Sequence, residues 1–164
     1  MADSVLPKAA WKRPPTDHVK LNCDGAFRQQ NRSGGWGFVL RDHDGCILSS
    51  GYGRLEKVLE PAHAEVIACL QATQRAVELG IQNIILETDA AAVVQALMAT
   101  ETDRSSASNF VSSNVAHNPG SCNLVAHSLA ALGDSLSSDV MSVRDHIPPC
   151  IQTLVANDLA SVIL

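Results

Sequence analysis

The hydrophobic period of this chain first turns helical at Pro61, and that change limits the folds open to it. Before the proline, apolar residues recur at every second position or in short runs between turn signals. After it, helical spacing alternates with short β-branched runs. Over 18–26, Val19, Leu21 and Cys23 alternate with Lys20 and Asn22, the pattern of a strand. Gly34, Gly35 and Gly37 lead into Phe38-Val39-Leu40. The turn Asp42-His43-Asp44-Gly45 then separates that run from Cys46-Ile47-Leu48, which is a hairpin signal. Three strands in sequence open the domain.

Pro61 suits the first turn of a helix, where a missing N–H costs nothing. Ala64, Ala68, Ala72 and Ala76 form a close-packing stripe with Ile67, Leu70 and Val77 beside it, and Gly80 stands where the helix should stop. Residues 81–88 read as a buried strand, with Asp89 placed to cap a helix over 90–99. Residues 100–108 are polar and patternless, a loop. A strand over 109–117, a turn at Pro119-Gly120 and a helix over 123–132 ended by Gly133 complete the series. The order βββαβαβα sets a hairpin system beside parallel αβ units. It predicts an α/β fold with a mixed five-stranded sheet flanked by helices. Residues 1–17, with Pro7, Pro14 and Pro15, read as an extended leader and 18–133 as the domain. In the tail, 134–164, Ile151, Leu154, Val155 and Leu159 follow Pro148-Pro149 at helical spacing and predict a short helix.

The 164 residues suit one domain with its own core. A hydrophobic share of 46% against 18% charged residues is that of a globular chain. A net charge of −5 argues against a protein that grips nucleic acid by bulk electrostatics. The charge is uneven: residues 1–57 hold 9 Lys/Arg against 6 Asp/Glu, and 58–164 hold 3 against 11, so a polyanion would be drawn to the first part. The five cysteines form no C-x-x-C pair, and 1–10 lack the apolar core of a signal peptide. An intracellular, reduced protein, cytoplasmic or nuclear, is expected. No apolar run approaches the roughly 18–20 residues that span a bilayer.

Three acids stand at structural punctuation points. Asp24 lies in a strand-like run, Glu65 in the first turns of a helix, and Asp89 at the end of a strand. Glu65 could also complement a helix dipole and Asp89 could act as a cap. Asp24 has no such structural role, and a buried carboxylate without a partner is costly. Carboxylates converging from separate elements suit hard divalent cations that keep positions open for phosphate oxygens.

The stretches Trp11-Lys-Arg-Pro-Pro15, Val19-Lys-Leu-Asn-Cys-Asp-Gly-Ala-Phe27, Gly35-Trp-Gly-Phe-Val-Leu-Arg-Asp42, Asp44-Gly45, Ala64-Glu65, Glu87-Thr88-Asp89 and Cys122-Asn-Leu-Val-Ala-His-Ser-Leu-Ala130 follow one another in a familiar order. In these, over roughly 11–133, the chain resembles the ribonuclease-H-type domain of many plant proteins, often called reverse-transcriptase-like and related to retroelement sequences. The tail's Asp158-Leu159-Ala160 fits the aliphatic helix that often ends such chains.

The resemblance implies a ribonuclease-H-like fold and an endonuclease that cleaves the RNA strand of an RNA–DNA hybrid. It assigns Asp24, Glu65 and Asp89 to catalysis with two Mg²⁺ ions, or Mn²⁺ in their place, about 4 Å apart. Asp24 would bridge both ions, and Glu65 and Asp89 would hold one each. His117 matches a loop histidine implicated in proton transfer and product release. Gly25 and Asn123 are the expected substrate-binding residues. The implied partner is nucleic acid, with no membrane and a monomeric chain.

Three departures from the pattern matter. The fourth acid position is His127, as the plant branch typically has it, and imidazole is a poor ligand for Mg²⁺. Gly120 stands where that branch usually has arginine. Only a short polar loop joins Met98 to Phe110, where the family has a further helix, so one helix is expected to be missing. These departures lead us to expect weak or absent cleavage, and they support a second reading, a catalytically inactive ribonuclease-H-like module that binds or interacts.

Overall fold

In a computed structural model of the chain, the structure describes residues 10–100, 114–117, 120–137 and 140–160. Its strands are β1 (Val19–Arg28), β2 (Ser33–Arg41), β3 (Ile47–Leu55), β4 (Ile84–Thr88), β5 (Asn114–His117) and β6 (Met141–Arg144). Its helices are α1 (Pro61–Glu78), α2 (Ala91–Thr100), α3 (Leu124–Asp134) and α4 (Gln152–Ala160). The five strands expected from the sequence make one mixed sheet in the order β5-β4-β1-β2-β3, and β6 extends it beyond β3. β1, β2 and β3 are antiparallel neighbours; β4 and β5 run parallel to β1. The sixth strand comes from the tail, where only a helix was expected. Its four residues are too few for a legible alternation, and pairing with Ser50–Gly53 of β3 creates it.

Side-chain alternation along β1 sorts the interior into two layers. Leu21 and Cys23 join Trp36, Phe38 and Leu40 beneath the alanine stripe of α1. On the opposite face, Val39 packs with Val125 and Leu129 of α3 and with Ile147, Ile151 and Val155 around α4. Ala64, Ala68, Ala72 and Ala76 are all buried, as the stripe requires. Ile67 packs on that core, whereas Leu70 and Val77, expected beside the stripe, are exposed. A contact line of alanines is narrow and covers only the residues nearest the sheet. At the end of α1, Gly80 takes the left-handed conformation (φ 71°), and the N–H groups of Gly80 and Ile81 close on the carbonyls of Val77 and Ala76.

Two helix boundaries differ from those read in the sequence. Gly133 does not end α3, which continues to Asp134. A Cβ at Gly133 would come within 2.3 Å of the Gly53 carbonyl oxygen, and Cβ atoms at Gly35 and Gly37 would collide with the backbone of α3. These glycines let the helix lie directly on the sheet, and close approach rather than helix termination explains Gly133. Asp89 is likewise not the N-cap of α2. The Ala90 carbonyl accepts from Val93 and Val94, so Ala90 holds the cap position and Asp89 lies one residue before it. The loop read at 100–108 and the helix expected to be missing there fall almost wholly in 101–113, outside the described residues.

Leader and tail both reach the interior. Trp11 is fully buried and donates from Nε1 to Asn22. Arg41, also fully buried, forms an ion pair of 2.7 Å with Asp158 of α4. Burial lowers the Arg41 pKa, and the hydrogen bond and charge of Asp158 pull it back. Among the described residues, no helix is long and apolar enough to cross a membrane.

Candidate metal centre

The three acids singled out in the sequence meet. One ligand oxygen from each of Asp24, Glu65 and Asp89 can be chosen so that all lie within 4.8 Å of one another. Local structure explains the convergence. The β1–β4 ladder ends at Asn22↔Glu87, and Asp24 and Asp89 each lie two residues farther along their chains. Gly25 brings in the third acid. A Cβ there would lie 2.6 Å from the Glu65 nitrogen, so its absence lets the first turns of α1 rest against β1 beside Asp24. Gly25 also donates its N–H to Asp24 Oδ1 at 3.0 Å.

The cluster is electrostatically unbalanced. Burial pushes the Glu65 carboxyl up to about 9, and the charges of Asp24 and Asp89 with a hydrogen bond to Asp24 push the same way. Glu65 Oε2 is buried and has no hydrogen-bond partner among the described residues. An all-oxygen donor set from three elements, with one buried oxygen unsatisfied and one proton held against its normal tendency, fits a hard divalent cation. Asp24, Glu65 and Asp89 are the residues that could hold it.

The other expected site residues divide. His127, one turn into α3, places Nδ1 2.7 Å from Asp24 Oδ2, with its side chain 67% exposed. His117 ends β5, with Thr88 as its Cα partner, so the backbone brings it alongside the strand leading to Asp89. Asn123 lies in the interior. It is 1% exposed, and its Nδ2 donates to the Cys23 carbonyl at 2.9 Å, which anchors α3 to β1 just before Asp24. Gly120 is exposed, and a Cβ there would sit 3.6 Å from Asp89 Oδ2, so any side chain at 120 starts beside the acids.

One neighbour was missed. Cys23 and Cys69 are free thiols whose sulfurs lie 2.8 Å apart behind the carboxylates. Their hydrogen bond, then burial, raises the Cys23 pKa well above its usual value, which makes it an inert core thiol. No spacing rule links residues this far apart in sequence.

The sheet order and the placement of α1 and α3 on opposite faces are those of a ribonuclease-H-like fold. A family model described as reverse transcriptase-like matches residues 22–133, and the chain belongs to that family. Among solved structures, it resembles the N-terminal RNase H domain of a Mycobacterium tuberculosis protein, solved as a fusion with maltose-binding protein. The TM-score is 0.63 at 21% identity, covering 71% of this chain and 93% of that one. RNase H1 from the halophilic archaeon Halobacterium salinarum aligns with a TM-score of 0.61 at 24% identity, covering 72% of this chain and 99% of the other. A foamy viral protease–reverse transcriptase in complex with dsDNA aligns with a TM-score of 0.53 at 16% identity, covering 74% and 98%. No protein of curated function matches the chain in sequence.

Proposed function

We propose that this chain is a nucleic-acid-binding ribonuclease-H-type domain that hydrolyses the RNA strand of an RNA–DNA hybrid. The observation that carries the reading is the meeting of Asp24, Glu65 and Asp89 within 4.8 Å, with a buried Glu65 oxygen left unsatisfied. Divalent cations, when bound, supply an activated water and stabilise the leaving oxygen of an in-line displacement. The chain's own residues supply the rest. Asp24, fixed by the Gly25 N–H, and Glu65 and Asp89 on either side would hold two ions, Mg²⁺ or Mn²⁺. A bound cation would take the place of the proton that Glu65 holds. His127 holds Asp24 from the α3 side, where the family pattern has a fourth acid.

The surroundings suit a polyanion. Arg28, paired with Asp134, and Arg32 flank the β1–β2 turn, and Lys57 follows β3 at the same end of the sheet. The Val58 N–H donates to the Arg32 carbonyl at 2.7 Å, so the two turns touch. These cations offset the acidic balance of the whole chain where β1 leads out of the cluster. A hybrid would be read through backbone shape and 2′-hydroxyls rather than base sequence. His117 is assigned the proton-transfer role that the family resemblance gives to a loop histidine.

Cleavage of an end-labelled RNA–DNA hybrid with increasing Mg²⁺, by the parent chain and by Asp24→Asn, tests the proposal. Cleavage by the parent that disappears in the variant is expected. Hybrid binding without metal-dependent cleavage by the parent would instead favour the inactive binding module. One observation favours that second reading: His127 occupies Asp24 where the family pattern would add an oxygen ligand.

A further inference from the structure

Directly below the carboxylates on the α3/α4 face lies a second buried polar cluster, assembled from five parts of the chain. Asn22 of β1 is its centre. Its Oδ1 accepts two hydrogen bonds, from Trp11 Nε1 at 3.1 Å and from Arg41 Nη2 at 3.1 Å. Two donors on the oxygen fix which way the amide faces, and Nδ2 is left to donate to Glu87 Oε2 at 3.1 Å. Glu87 also pairs with Lys20 at 2.8 Å. Arg41 lies 3.8 Å over the Trp11 ring and pairs with Asp158 of α4 at 2.7 Å. Trp11, Asn22 and Arg41 have no exposed surface.

The position of this cluster relates it to the site. Asn22 and Glu87 are the last Cα partners of the β1–β4 ladder, and Asp24 and Asp89 stand two residues farther along the same two chains. Beyond that rung no ladder pairing holds the chains together, while the acids they carry repel one another. The Asn22–Glu87 hydrogen bond clamps the rung from its side chains. Its direction depends on Trp11 and Arg41, and the buried Arg41 charge is tolerated because Asp158 offsets it.

We infer that Trp11, Asn22, Arg41 and Asp158 are positioning residues for the metal centre, so that leader and C-terminal helix together set the spacing of Asp24 and Asp89. The inference deepens the proposed function and rests on that reading. It makes the tail part of the catalytic apparatus without any contact with metal or substrate. Partners hydrogen-bonded to the ligands themselves change metal affinity by about 10–100-fold when removed, and residues acting one link farther out are expected at the lower end of that range.

The test separates positioning from folding. In the double variant Arg41→Met/Asp158→Leu, both charges leave together and apolar volume replaces them, an exchange that is often neutral for stability. Trp11→Phe is a milder second variant that keeps a ring beside Arg41 and deletes only the Nε1–H donor. Mg²⁺ affinity by titration calorimetry and metal-free melting temperature are measured for parent and variants. The expected result is about a tenfold loss of Mg²⁺ affinity in the double variant and a smaller loss in Trp11→Phe, with the Trp11→Phe melting temperature near that of the parent. If the double variant does not fold, Trp11→Phe alone decides. Unchanged Mg²⁺ affinity in a folded variant overturns the positioning role and leaves the proposed function standing. A parent chain that takes up no Mg²⁺ removes both.

Discussion

A buried polar cluster and a half-buried acidic one sit end to end on β1, and they solve the same electrostatic problem in opposite ways. At Lys20 and Asn22 every charge has a counter-charge: Lys20 with Glu87, Arg41 with Asp158. Two residues on, Asp24, Glu65 and Asp89 gather like charges, and Glu65 keeps a proton to about 9. Burial is costly for both sets. The first cluster balances its charges from within, with Arg41 Nε left without a partner among the described residues, whereas the acidic one gathers negative charge that a cation would offset. An imbalance at one point of a fold that elsewhere pairs its charges is itself a functional signal.

Breaking the compensation should have the largest effect on stability. Arg41→Ala leaves Asp158 buried without its partner and should cost about 3–5 kcal/mol in urea denaturation. Asp24→Asn should do the reverse in metal-free protein, leaving stability unchanged or slightly raised by relieving repulsion. It should also abolish hybrid cleavage and much of the Mg²⁺-induced rise in melting temperature. Equal Mg²⁺ shifts in parent and variant would place metal binding elsewhere.

pH sharpens the same contrast. The Glu65 pKa rises from 4.5 in its ordinary state to about 9 in the fold, so the folded chain binds this proton more tightly than the unfolded chain. Its contribution to metal-free stability is therefore complete below about 4.5 and is lost as pH climbs through about 9. Urea midpoints across that window should fall with pH, and Glu65→Gln should flatten the decline. Mg²⁺ should also flatten it, because a bound cation stabilises the ionised form, and Mg²⁺ uptake below pH 9 should release a proton.

Two smaller effects adjust the uncompensated cluster. His127→Asp replaces the imidazole on Asp24 with an oxygen ligand and should lower the Mg²⁺ concentration that half-saturates cleavage. An unchanged requirement would show that position 127 lies outside the metal shell. Gly120→Arg adds a side chain whose Cβ would sit 3.6 Å from Asp89 Oδ2, and its cation should tighten hybrid binding, steepening the salt dependence by about one unit of slope. Binding curves at several salt concentrations measure it.

Legibility followed the range of the interactions. The Asp42–Gly45 turn, the Pro61 start, the alanine stripe and the Gly80 stop each depend on neighbours within a few residues, and all were readable. Gly133 was misread because the same residue type serves helix ends and close contacts, and only the approach of Gly53 tells them apart. Asn123 was expected at a substrate, yet burial turned its amide to the Cys23 carbonyl. β6 was missed because a four-residue edge strand carries too little pattern of its own.

The sequence by itself determined the strand and helix order, and it marked Asp24, Glu65 and Asp89 as acids with too few local reasons to be where they are. Period and turn chemistry are encoded over a few residues, so they survive reading in one dimension. Only the tertiary structure decided that Trp11, Arg41 and Asp158 would meet around Asn22, and that His127 would rest on Asp24. These pairs are separated by 11 to 117 residues. The His127–Asp24 contact relies on the close approach of α3 over Gly35 and Gly37, and the placing of Glu65 on that of α1 over Gly25. An unpaired charge is costly only once it is buried, and burial is a property of the assembled layers rather than of any stretch of chain.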